Sequence, residues 1–303
     1  MKFERLKKIY EKDYKLLMII PLLLFLLACA QLSYELYKYG SFGEKDLSLK
    51  GGYFVKLSAK DQTNVDQFIV DLKSQLSERL QKDVEISKVT ALGKVESIVI
   101  ETEVSEEDPN SDITYINNQI SDISGIASDD FLSTGLVNSS LGNSFFRQII
   151  YAVIFSFIFM SITVFIYFRS IAPSVAIVAC AFLDILCTLA TFNLLGYKLS
   201  TASIAAFLML IGYSVDTDIL LTTKVLKQKA SSDININIYE AIITGITMQM
   251  TTVTALVVGL VVVKSPVIQQ IMTVLLIGVV YDIINTWIMN VGLIRWFFEK
   301  KYI

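Results

Sequence analysis

Asp216 and Asp218 stand in "GYSVDTDILL", inside a run that is otherwise apolar. Asp184 in "CAFLDILC" and Asp282 in "VVYDII" are placed the same way. A carboxylate at the centre of a membrane costs about 2.5–3.5 kcal/mol on insertion scales, so it normally turns toward a bundle interior. The chemistry open to such a group is proton or cation handling: it can load from one side and discharge to the other. The chain has no histidine. Proton work therefore falls to carboxylates, lysine or tyrosine, and a histidine-based triad or metal site is excluded. Cys29, Cys180 and Cys187 all lie in apolar runs, so they make neither a disulfide framework nor a metal cluster. No cofactor, no metal and no nucleic-acid partner is expected.

Spacing ranks the four ion-relay candidates. Asp216 and Asp282 each lie about two thirds along an inward-running helix, which puts them at similar depth. Asp216 and Asp218 are two apart, so on a helix they point to nearly opposite sides and only one faces a given neighbour. Asp216 reads first as functional, Asp282 equally as functional or structural. Asp184 and Asp218 read first as structural, either pinning helices by hydrogen bonds or lying near enough to the interface to snorkel, Asp218 because it lies nearer the cytoplasmic end. "TMQMTTVTA", 247–255, adds hydroxyls and an amide. Such groups let helices approach and bond across. Gly212, Tyr213, Gln249 and Thr252 are the candidates for tuning helix contacts; the fifth-span groups read first as helix packing, and the sharper alternative has Gln249 and Thr252 facing Asp216.

These residues need a bundle to hold them. Of 303 residues, 53% are hydrophobic, and the excess is concentrated in runs of the ~20 residues that a span requires. The runs are 16–34, 146–168, 171–194, 200–223, 239–263 and 267–290. The first does not have the shape of a cleaved signal peptide: its basic lead is long and mixed, and Pro21 breaks the run early. Basic residues cluster at 2–15, at Lys224, Lys227 and Lys229, and at Arg295, Lys300 and Lys301. Six spans put all three clusters on one side, the cytoplasm by the positive-inside rule. The organisation expected is a cytoplasmic N-terminus at 1–15, a first helix at 16–34, an external domain at 35–144, a five-helix bundle at 145–297 and a cytoplasmic tail at 298–303.

Residues 35–144 carry 19 acidic against 10 basic residues, unlike the basic segments around them. "GGYFVKLSA" alternates as a strand does, and "DVEISKVT" and "KVESIVIETEV" alternate again on either side of a turn at Gly93. Val65, Phe68, Ile69, Leu72, Leu76 and Leu80 recur at helical spacing over 62–80, and Ile113, Ile116, Ile120 and Ile123 mark a second helix. Residues 126–144 read as a final strand or a linker. The order predicts a small ferredoxin-like α+β unit. Asn138-Ser139-Ser140 fits a glycosylation acceptor.

Three stretches resemble one family. "IGYSVDTDILLTTKVL" resembles the fourth-helix signature of SecF and SecD, accessory subunits of the Sec protein-export channel. "NSSLGNSFFRQIIYAVIFSF" resembles that family's entry into the second helix, and "DLSLKGGYFVKL" its paired-glycine strand. The length and six spans resemble SecF alone, of archaeal type, and not a fused SecD–SecF. The resemblance implies a half-bundle of the resistance-nodulation-division (RND) superfamily that pairs with a SecD subunit. It implies a role in Sec-dependent translocation across the cytoplasmic membrane. The Sec channel, the unfolded polypeptide and membrane lipid are then the further partners, and no enzyme activity is implied. The family's fourth-helix carboxylate maps to Asp216. Its fifth-helix arginine does not carry over: Thr244 stands there, and no Lys or Arg occurs between 230 and 263. Two other readings fit less of the chain. A stand-alone RND efflux or lipid transporter calls for two such halves. An intramembrane aspartyl protease calls for a Gly-x-Gly-Asp motif that is absent.

Overall fold

The computed structural model describes residues 10, 13–46, 49, 51–59, 64–82, 84–91, 94–102, 104, 109–137, 139–227, 234–263 and 265–302. The chain divides into two compact units, 45–148 with 264–266, and the remainder. The expected turn at Gly93 and the Asn138 triplet's first residue lie outside the described residues.

The smaller unit runs β1 (Gly52–Ser58), α1 (Val65–Leu80), β2 (Val84–Ala91), β3 (Lys94–Thr102), α2 (Pro109–Ser124) and β4 (Ser133–Val137). The sheet order is β2-β3-β1-β4 with every neighbour antiparallel. That is the split βαβ pattern read from the sequence. Alternation decides the faces. Tyr53, Val55 and Leu57 of β1 are buried, and across the β1–β3 ladder Val55 meets Ile100 and Leu57 meets Ile98. Leu72, Leu76 and Leu80 of α1 and Ile116 and Ile120 of α2 close the same core. On the other face the Phe54 ring lies where a Cβ of Gly135 would stand, so β4 takes glycine opposite an aromatic. The entering and leaving strands are direct partners: Gly52 is opposite Val137, and five pairs run on to Lys56–Ser133.

Among the described residues, six helices are long and apolar enough to cross a membrane, at 14–38, 147–168, 171–194, 201–226, 234–262 and 267–297. They are the first to sixth spans below. Pro21 does not break the first. It sits in the first turn of the helix Ile19–Tyr39, where a missing N–H costs nothing. The fifth helix begins at Ile234 and the sixth carries on to Tyr302, past the apolar limits read from sequence, because helical hydrogen bonding continues beyond the greasy stretch. The third and fourth spans form the centre, with 56% of each apolar window buried, against 6% for the second and 11% for the fifth. The third span owes this to small residues, Ala176, Cys180, Ala181 and Cys187, which let neighbours approach. Gly278 of the sixth span serves likewise: a Cβ there would collide with Leu210 of the fourth.

The sixth span is not one regular helix. Pro266–Ile284 is α-helical, Asn285–Asn290 is a π turn, and Val291–Tyr302 is α-helical again. A π turn widens the helix by one residue and is frequently found at functional sites.

Candidate functional site

Asp184, Asp218 and Asp282 come together from the third, fourth and sixth spans, each with no solvent-exposed surface. Each is held by neutral donors. The Ser214 hydroxyl donates to Asp184 Oδ2, and Asn285 Nδ2 donates to Asp184 Oδ1 at 2.6 Å. Asn290 Nδ2 donates to Asp218 Oδ1 at 2.6 Å. Gln249 of the fifth span donates through Nε2 to Asp282 Oδ2 at 2.7 Å, and its Oε1 accepts from Trp287 Nε1 at 2.8 Å. Thr286 Oγ1 lies 3.0 Å from Asp218 Oδ1 and 3.0 Å from Asp282 Oδ1.

The π turn supplies most of this. Asn285, Thr286, Trp287 and Asn290 are all buried, and they reach Asp184, the Asp218–Asp282 pair, Gln249 and Asp218 in turn. A regular helix spreads consecutive residues by about 100° and gives one face to one neighbour. The wider turn lets four polar residues serve three neighbouring helices. Trp287 fits because the fifth span has glycine at 245, where a Cβ would strike the indole. No lysine or arginine pairs with the three carboxylates among the described residues. Nor do any three His, Cys, Asp or Glu side chains among them converge as metal ligands.

Asp216 lies elsewhere. It is exposed on the outer side of the fourth span, in line with exposed Ala205, Met209 and Gly212. The reading that Asp216 faces Gln249 and Thr252 is therefore corrected: Gln249 binds Asp282, and Thr252 Oγ1 donates to Met248 O at 3.2 Å. Because Asp216 and Asp218 diverge, turning Asp218 to the centre turns Asp216 out. Gly212 has open space beside it, so it does not serve a close contact within this chain. Tyr213 is half-buried next to Thr252. Thr247, Thr251 and Thr254 of the fifth span donate to carbonyls four residues back in their own helix, whereas Thr244 Oγ1 accepts from Lys224 Nζ of the fourth span at 3.2 Å. Sequence reasoning passed over Ser214, Asn285, Thr286, Trp287 and Asn290. The signal was there in "DIINTWIMN", since 282, 286 and 290 recur every fourth residue.

A bundle of apolar helices around a buried carboxylate cluster, with one α+β domain inserted after the first span, defines a multi-pass membrane protein with a polar centre. A family model described as "Protein export membrane protein SecD/SecF, C-terminal" matches residues 120–300. "Protein-export membrane protein SecF" of Methanocaldococcus jannaschii is 36% identical over 95% of this chain and 97% of its own. The protein of the same name from Pyrococcus furiosus is 33% identical over 98% of this chain and 96% of its own. The chain belongs to the SecF family of protein-export membrane proteins. Its fold is that of part of SecDF, described as a translocon-associated membrane protein from Thermus thermophilus. The TM-score is 0.71 at 16% identity, over 93% of this chain and 38% of that one. A second SecDF structure, in a super-membrane-facing form, gives 0.61 at 17% identity over 97% and 39%. This chain thus spans well under half the length of the fused proteins.

Proposed function

We propose that this chain is the SecF-type subunit of a SecD–SecF pair that assists Sec-dependent protein translocation across the cytoplasmic membrane. The observation that carries the reading is the near full-length match to SecF proteins. Both termini face the cytoplasm, and 35–144 face outside, where the domain meets the unfolded polypeptide. The Sec channel and membrane lipid are the remaining neighbours. Within the bundle, Asp184, Asp218 and Asp282 form an ion relay. Three acidic groups with neutral donors and no paired base make a site that must take up positive charge to be stable away from water. Asp216 acts in a different place: exposed beside Ala205, Met209 and Gly212 on the outer side of the fourth span, it calls for a protein surface to cover it, and the SecD subunit supplies that surface.

The test is export in cells carrying Asp218→Asn or Asp216→Asn, with recovery of the SecD-bound complex as the control. Asp218→Asn is expected to lose export with normal complex recovery, and Asp216→Asn to lower the recovery itself. Normal export in Asp184→Asn, Asp218→Asn and Asp282→Asn alike reduces the cluster to a structural pin. A chain that crosslinks to no SecD in native membranes defeats the pairing.

A further inference from the structure

Thr286 poses a counting problem. Its oxygen stands 3.0 Å from Asp218 Oδ1 and 3.0 Å from Asp282 Oδ1, and all three residues are fully buried. A hydroxyl owns one hydrogen and can accept two more. It therefore donates to one of the two carboxyls. The other contact is a hydrogen bond only if that carboxyl carries a hydrogen and donates it to Thr286. With both aspartates ionised, one contact would set lone pair against lone pair in a medium that screens poorly.

A separate feature points the same way. Asp218 Oδ2, Asn285 Oδ1 and Asn290 Oδ1 are buried and have no donor among the described residues. All three are acceptors. These three oxygens want hydrogens, and among the described residues the carboxylates do not converge on a point as a divalent ion requires. An added proton meets that want.

We propose that Asp218 and Asp282 hold one proton between them across Thr286, and that Thr286 passes it from one to the other. In the first state Asp282 Oδ1–H donates to Thr286 Oγ1, and Thr286 donates to ionised Asp218. In the second, Asp218 Oδ1–H donates to Thr286, and Thr286 donates to ionised Asp282. Passage breaks the O–H bond of one carboxylic acid and the O–H bond of Thr286. It forms one new O–H bond on Thr286 and one on the other carboxyl. No electrons are exchanged, and the negative charge crosses between the fourth and sixth spans. Each state has its own amide: Asn290 Nδ2 at 2.6 Å for Asp218 and Gln249 Nε2 at 2.7 Å for Asp282. Neither charge is locked by an arginine or lysine. Thr286 is a positioning residue and a carrier, and its place depends on the π turn of which it is the second residue. The use of this proton in export rests on the ion-relay reading above; its presence does not.

The experiment is infrared spectroscopy of the full chain in membranes, with aspartate isotopically labelled at the side-chain carboxyl to mark the acid carbonyl band. One hydrogen-bonded acid band is expected in the parent protein and in Thr286→Ser. In Thr286→Val the band moves to the position of a more weakly bonded acid. In Asp282→Asn it is lost, because Thr286 then donates to Asp218 alone. Asp184→Asn leaves it in place. Absence of an acid band in the parent overturns the proposal. So does a band unmoved by Thr286→Val, or one that only Asp184→Asn removes. If Thr286→Val does not fold, Asp282→Asn decides: an unshifted band there is fatal. A band that behaves as expected while Thr286→Val exports normally sustains the shared proton and defeats its coupling to export.

Discussion

Asp216 and Asp218 differ by two positions and by everything that surrounds them. Asp218 takes hydrogen bonds from Thr286 and Asn290 at the bundle centre, whereas Asp216 is on the outside. Asp218→Ala leaves the buried Asn290 amide without its acceptor, which costs about 1–3 kcal/mol, while Thr286 keeps Asp282 as a partner. Asp216→Ala touches no partner in the chain and is expected to change stability by less than about 0.5 kcal/mol. Denaturation of the purified chain in micelles compares the two directly. The sequence told that carboxylates lie in the spans, because charge among apolar residues is visible without a structure. It did not tell which of the pair faces inward. Polar residues flank both carboxylates, and the deciding neighbours, Thr286 and Asn290, lie 68 and 72 residues away in the chain.

At the scale of elements, the domain was legible and the sixth span was not. Period-2 runs in β1 and β3 and period-3.6 runs in α1 and α2 are local patterns, and each predicted the face that is buried. The π turn has no such pattern, since its extra residue is accommodated by packing against three other helices. It makes a specific demand on register. Deleting Ile288, a half-buried residue of the turn, removes the extra residue and leaves a plain α-helix, in which Asn285, Thr286, Trp287 and Asn290 no longer spread over three neighbouring helices. Asp184, Asp218 and Gln249 then lose partners that they hold at the buried centre. The expected result is loss of folded protein, read as aggregation on size-exclusion chromatography. Deleting one residue from the exposed end of the fifth span, at Val262, is the tolerated control.

For the molecule as a whole, the topology proposed above, with both termini in the cytoplasm and 35–144 outside, makes a direct prediction. Lys73, exposed on α1 of the domain, lies on the outer side in that arrangement. Ile236, exposed at the start of the fifth span, lies on the inner side. Lys73→Cys is expected to react with an impermeant thiol reagent in intact cells, and Ile236→Cys only after the membrane is opened. The reverse pattern inverts the topology.

The pairing of Gly52 with Val137 has a mechanical meaning. The points where the chain enters and leaves the sheet are neighbours across one rung, at the same end of the β1–β4 ladder. A load that draws those two points apart meets the five pairs one at a time, as a zipper does, instead of all together in shear. The strand that yields first is β4, an edge strand of five residues. In an optical trap with handles at 52 and 137, β4 is expected to peel at low force while β1, β2 and β3 stay joined. Cross-linking Lys56 to Ser133 by paired cysteines, at the far end of the ladder, should leave that first rupture in place but shorten the extension it releases.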